Sequence, residues 1–357
     1  MVLAMDTRLV RILDEAGSSP SCDTANDYDG RLGLRISSIF VILVGSVIGA
    51  VFPIVMRHTK SQTAASFWAF FIAKYFGSGV IIATAFIHLL APAEEALRNS
   101  CLTGPITEYS WVEGITLMTI VLMLFLELMA TRYLHFDQTH KDDAEDCGQN
   151  RTNTAEDSDA EGRNQVVPDD IHSRQPGGHH NAGLSEGAAI SRDTYATQLT
   201  SIFILEFGIV FHSVFIGLTL AVSGSEFTTL YIVIVFHQTF EGLGLGSRLA
   251  TFPWPPSKQM TPYILGFAYG VSTPIAIAIG LGVRKTYPPE GRTTLIVNGV
   301  FDSISAGILI YVGLVELIAH EFLFTTSMRE GPNRRALAAF LLLCLGAALM
   351  ALLGKWA

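Results

Sequence analysis

His237 and Glu241 stand four residues apart in Phe236-His237-Gln238-Thr239-Phe240-Glu241-Gly242. On a helix that spacing puts both side chains on one face, one turn apart. Upstream, Phe211-His212-Ser213-Val214-Phe215-Ile216-Gly217 repeats Phe, His, Phe and Gly at the same places, 25 residues earlier. Two imidazoles and a carboxylate suit a borderline divalent metal, zinc before iron. Ser213 and Gln238 occupy the next motif positions and join His212, His237 and Glu241 as candidate donors. Other readings stand beside this one: a histidine can hydrogen-bond across a helix interface, and a His–Glu pair can be structural or relay protons. The doubling of the motif favours a metal.

The elements that must position these residues are membrane spans. Half of the 357 residues are apolar and 15% are charged, against about a quarter charged in soluble domains. Crossing a hydrocarbon core of about 30 Å takes about 20 mostly apolar residues. Eight such blocks occur, at 36–56, 68–90, 112–133, 199–222, 228–251, 262–284, 293–318 and 336–354. The expected fold is an all-α polytopic membrane protein in a lipid bilayer. It comprises an N-terminal segment (1–35), helices 1–3 (36–133), a His-containing loop (134–198) and helices 4–8 (199–354). The loop is rich in Asp, Asn, Gly and Ser and is expected to be disordered. Residues 1–30 lack the apolar run of a signal peptide, so the first block serves as the insertion signal.

Ionisable groups at membrane depth are costly and functional by default. His88, Glu94, Glu127, Glu206, Glu316 and His320 are therefore candidates for a cation pathway, with interfacial hydrogen bonding as the alternative for each. Pro274 removes a backbone bond from block six and predicts a kink. Gly217, Gly242, Gly244 and Gly246 allow close helix approach. In the loop, His172, His179 and His180 could capture metal. Lys and Arg favour the loops after blocks 1, 3, 5 and 7, which places the long loop in the cytosol and both termini outside. Cys22 and Cys101 then face the oxidising side and can pair. No nucleic-acid motif, P-loop or HExxH occurs.

Taken together, Phe86-Ile87-His88-Leu89-Leu90, the two His-bearing motifs, and Ser305-Ala306-Gly307-Ile308-Leu309-Ile310-Tyr311-Val312-Gly313-Leu314-Val315-Glu316-Leu317 resemble the ZIP family of zinc and iron transporters. The similarity is greatest to fungal plasma-membrane zinc transporters. The resemblance implies eight helices, extracellular termini, a cytosolic His-bearing loop after span 3, and often a homodimer. It implies a transport site between spans 4 and 5, at His212, His237 and Glu241. It also implies alternating access, with spans 1, 4, 5 and 6 moving against the rest. Some members carry an acidic residue in span 4 that bridges two metals; Ile216 stands at that position, which points to one principal site. The expected function is import of zinc, with iron and other divalent metals as competitors. Zn2+ is the transported substrate, with no organic cofactor and no nucleic-acid partner. The alternatives are an intramembrane zinc-dependent hydrolase and a metal-sensing receptor.

Overall fold

The computed structural model describes residues 22, 25–59, 63–129, 132, 182–325, 328 and 330–356. Among the described residues the chain is helical and contains no strand. Its long helices are α1 (Leu32–His58), α2 (Ala64–Leu97), α3 (Trp111–Met129) and α4 (Ala182–Val222). They are followed by α5 (Phe227–Thr251), α6 (Thr261–Val283), α7 (Arg292–Tyr311, continuing as a π-helix over Val312–Phe324) and α8 (Asn333–Leu353). The chain divides into two compact units, 1–124 with 201–357, and 125–200.

Seven of these helices contain a segment long and apolar enough to cross a membrane; α5 does not. Length is not what α5 lacks, since its 25 residues span about 37 Å at 1.5 Å per residue. His237, Gln238, Thr239 and Glu241 lower its hydropathy. The helix that bears most of the candidate ligands is thus the least suited to lipid, and the face that carries them must be covered by protein. The helix α4 also begins earlier than its apolar block at 199, because Ala-rich sequence after Ala182 is compatible with helix. The loop histidines His172, His179 and His180 lie outside the described residues.

Glycines let other helices enclose α5. It packs against α1, α2 and α6. A Cβ at Gly49 would run into the Thr239 carbonyl, and one at Gly246 into the Ala50 carbonyl. A Cβ at Gly77 would meet the Gly244 backbone of α5. The glycines expected to bring spans 4 and 5 together have these other helices against them instead: Gly242 and Gly246 receive α1, Gly244 receives α2, and Gly217 receives Thr273 and Ala276 of α6. Pro274 sits at that last contact, inside a helix that continues past it. Around the outside, α3 and α8 present Leu117, Met118, Leu341 and Leu345 as exposed apolar side chains, as lipid-facing helices do.

One end of the larger unit is tied by the segment before α1. Cys22 is disulfide-bonded to Cys101 in the α2–α3 connection. Asn26 donates to the Tyr287 carbonyl (3.1 Å) between α6 and α7. Arg31 donates to the Gly224 carbonyl (2.6 Å) between α4 and α5, and its bond to Asp29 holds that carboxyl below its ordinary range. Arg35, fully buried, donates to the carbonyls of Leu220 (3.1 Å), Ala221 (3.0 Å) and Ser223 (2.6 Å). It thereby satisfies the open carbonyls at the end of α4 and complements its dipole. Asp29 accepts from the same guanidinium at 2.8 Å, which stacks between Tyr28 and Phe227.

Gly49→Leu should abolish most of the monodisperse protein, because its side chain would start inside the α5 backbone; size-exclusion chromatography of a fluorescent fusion measures this. Maleimide labelling of the denatured protein should reach Cys22 and Cys101 only after reduction.

Candidate metal centre

The centre lies midway along α5. His237 is ten residues beyond Phe227, about 15 Å along the helix axis. His237 Nε2 and Glu241 Oε2 are 3.8 Å apart, on one face as the four-residue spacing requires. The His212 ring on α4 has its centroid 5.8 Å from that of His237. All three side chains are buried, and both nitrogens of His212, Nε2 of His237 and both oxygens of Glu241 have no hydrogen-bond partner. The nearby Tyr269 hydroxyl donates to the Gln238 carbonyl (2.6 Å). Unpaired buried polar groups cost about 1–3 kcal/mol each, so a site that keeps five of them needs a ligand to justify them.

Zinc ligands at 2.0–2.1 Å in tetrahedral geometry lie about 3.4 Å from one another. The His237–Glu241 gap is slightly wider, which small side-chain rotations close. Among the described residues no three His, Cys, Asp or Glu side chains are grouped closely enough to hold a metal ion, so His212, His237 and Glu241 would have to draw together around a cation. Ser213 and Gln238 are fully buried and bonded to each other, the amide donating to the hydroxyl at 3.3 Å. They join α4 to α5 beside the centre.

Two further residues complete the geometry. His88 belongs to a π-helical stretch of α2, Thr84–Leu90. Pro92 accounts for it: proline has no N–H for the His88 carbonyl and its ring crowds that oxygen, so the turn widens. The His88 ring stands edge-on to His237, with centroids 4.7 Å apart. Its Nε2 lies 3.0 Å from the Met350 carbonyl; a carbonyl only accepts, so Nε2 carries the hydrogen and Nδ1 keeps its lone pair. Asp302 of α7, absent from the sequence reading, is buried with Oδ1 3.6 Å from His212 Nδ1.

A cavity of about 240 Å³ connects these groups. His88, His212, His237 and Asp302 line it, with Ile216 and Thr219 on the wall and Asn298 and Glu95 farther along. Glu95 is exposed, near the end of α2 that leads to Cys101. The cavity therefore runs from the centre toward the disulfide-bearing end.

The remaining candidates fall elsewhere. Glu94, one residue from the cavity wall, turns aside to pair with Arg98. Glu206 is buried on α4, on the other side of His212 from the disulfide-bearing end, with Oε2 unpaired. Glu127 belongs to the unit 125–200 and is half-buried there. Glu316 and His320 lie on the π-helical continuation of α7; their side chains fall outside the description. The Asn298–Asp302 pair has the same four-residue spacing as His237–Glu241, and that was the signal that could have found Asp302.

A bundle of membrane-length helices around unpaired imidazole and carboxylate donors, reached by a cavity lined by three histidines and an aspartate, defines a metal-ion carrier. The chain belongs to the ZIP zinc transporter family, whose profile matches residues 32–354. It is 40% identical to Zinc-regulated transporter 2 of Saccharomyces cerevisiae, over 98% of this chain and all of that protein. It is 39% identical to Zinc-regulated transporter 1 of Schizosaccharomyces pombe, over 98% and 92% of the two chains. Zinc transporter 3 of Arabidopsis thaliana is 33% identical, over 96% and 91%. The protein is a transporter and not an enzyme, and the intramembrane hydrolase reading is set aside by this membership.

His237→Ala and Glu241→Ala should each reduce radiolabelled zinc uptake to the level of empty cells at unchanged surface amount. Glu94→Gln should leave uptake near wild type. Ile216→Glu should change the order in which iron, cadmium and manganese compete, because it sets a carboxylate on the cavity wall.

Proposed function

We propose that this protein imports zinc by alternating access, with His212, His237 and Glu241 as the transport ligands, and that the conformation described is open toward the outside. The observation that carries the reading is the cavity: it joins Glu95, at the disulfide-bearing end, to unpaired donors at mid-membrane. Beyond Glu241 the backbones of α2 and α5 meet at Gly77 and Gly244, which bars the way to the opposite end.

A disulfide forms in an oxidising compartment, so Cys22–Cys101 supports an extracellular position for that end. With eight spans the C-terminus lies on the same side. This assignment agrees with the excess of Lys and Arg in the loops after spans 1, 3, 5 and 7, and the membrane it fits is the plasma membrane. A hydrated divalent cation would exchange water for imidazole and carboxylate. Without a thiolate the ligands hold zinc loosely enough for release, and they tolerate iron as a competitor. After the bundle rearranges, Glu206, Glu316 and His320 lie on the spans toward the cytosol, and His172, His179 and His180 in the loop beyond.

Cells expressing the protein should accumulate radiolabelled zinc in a saturable manner, with excess iron competing only weakly. Uptake no higher than in empty cells would sink the reading. An introduced cysteine at Thr219, on the cavity wall, should react with an impermeant thiol reagent added from outside and be protected by zinc; reaction from the cytosolic side alone would reverse the orientation.

A further inference from the structure

His212 faces two ways. Its ring lies beside His237 on one side, and its Nδ1 lies 3.6 Å from Asp302 Oδ1 on the other. Asp302 is on α7, away from the α4–α5 motif, and the transport ligands do not include it. Were Asp302 there only to orient the imidazole, a hydrogen bond of about 2.7–3.2 Å would be expected. The separation is longer than that, and neither atom has any other partner. It is close to the spacing of about 3.4 Å between two donors that share one zinc ion. His212 is only 4% exposed and Asp302 8%, yet both line the cavity. One turn before Asp302, Asn298 sets a further oxygen without a partner on the same wall.

We propose that Asp302 Oδ1 and His212 Nδ1 form an outer binding position for a divalent cation, filled before the His237–Glu241 position. Asn298 and water complete its coordination, and Glu95 at the cavity mouth concentrates the cation. The inference rests on the transport reading of the same cavity. His212 serves both positions, Nδ1 the outer one and Nε2 the inner, so its ring proton changes nitrogen as a cation passes inward. With Asp302, His212, Asn298 and water, and a single carboxylate among them, the outer position binds weakly, as a staging point must. A neutral imidazole offers a lone pair on one nitrogen at a time, so the two positions are occupied in turn.

The test has two arms. In cells, Asp302→Asn should raise the KM for zinc uptake by roughly tenfold or more, the scale on which partners of metal-bound histidines act, with little change in the maximal rate. Asp302→Glu and Asp302→His, which restore a donor, should recover most of the affinity. A fall in maximal rate and surface amount at unchanged KM would show a structural role and overturn the proposal. In the second arm the purified full-length His237→Ala/Glu241→Ala protein is titrated with zinc by equilibrium dialysis. It should retain one weak site that is lost when Asp302→Asn is added; absence of zinc binding by that double variant would also overturn it. The binding arm does not depend on transport. Retention of the Asp302-dependent site in a protein whose wild type takes up no zinc would count against the transport reading while leaving the outer site in place.

Discussion

Two buried imidazoles and a buried carboxylate with unpaired donor atoms, midway along α5, are the constraint that the rest of the structure answers. Burying each such group is unfavourable in hydrocarbon, and α5 concentrates two of the three on one helix. The polar face of that helix cannot point to lipid, so α1, α2 and α6 pack against α5 while Ile232 and Phe236 stay exposed on another face. They approach closely because Gly49, Gly77, Gly242, Gly244 and Gly246 remove the side chains that would hold the backbones apart. The glycines around the centre thus serve enclosure: they exclude lipid from the donors while the donors stay unpaired and available to a cation.

The two ends of the bundle are built differently. At one end a buried Arg35 closes the terminus of α4, and the segment before α1 reaches the α2–α3, α4–α5 and α6–α7 connections. The cavity opens toward this end. Toward the other end α2 and α5 are in backbone contact. A cavity toward one end and the α2–α5 contact toward the other form the asymmetry that the proposed alternating access uses, and the position of His212 between Asp302 and His237 is what the proposed outer position rests on.

Much of the centre was legible from spacing. The recurrence at 25 residues and the four-residue His–Glu interval depend only on helix geometry, and the structure places His212, His237 and Glu241 around one buried locus. Glu94 shows the limit of that reasoning. A residue near a span end can point along or away from a cavity, and a 100° step per residue put Glu95 on the wall and left Glu94 to Arg98. Nothing in the sequence around Arg35 marks it as a cap; its role is visible only from the end of α4 that lies against it. Asp302 escapes sequence reasoning because its four-residue pairing with Asn298 does not say which helix the pair faces.

From sequence alone came the class of the protein, the long helices, the candidate donors His212, His237 and Glu241 and the cysteine pair able to bond, since each follows from local periodicity, hydropathy or chemical type. Tertiary structure decided which helices shield α5, toward which end the cavity beside His212 and His237 extends, and that Asp302 stands beside His212. These depend on contacts between residues up to hundreds of positions apart, and the rotation of one helix against another is set by the packing of whole surfaces.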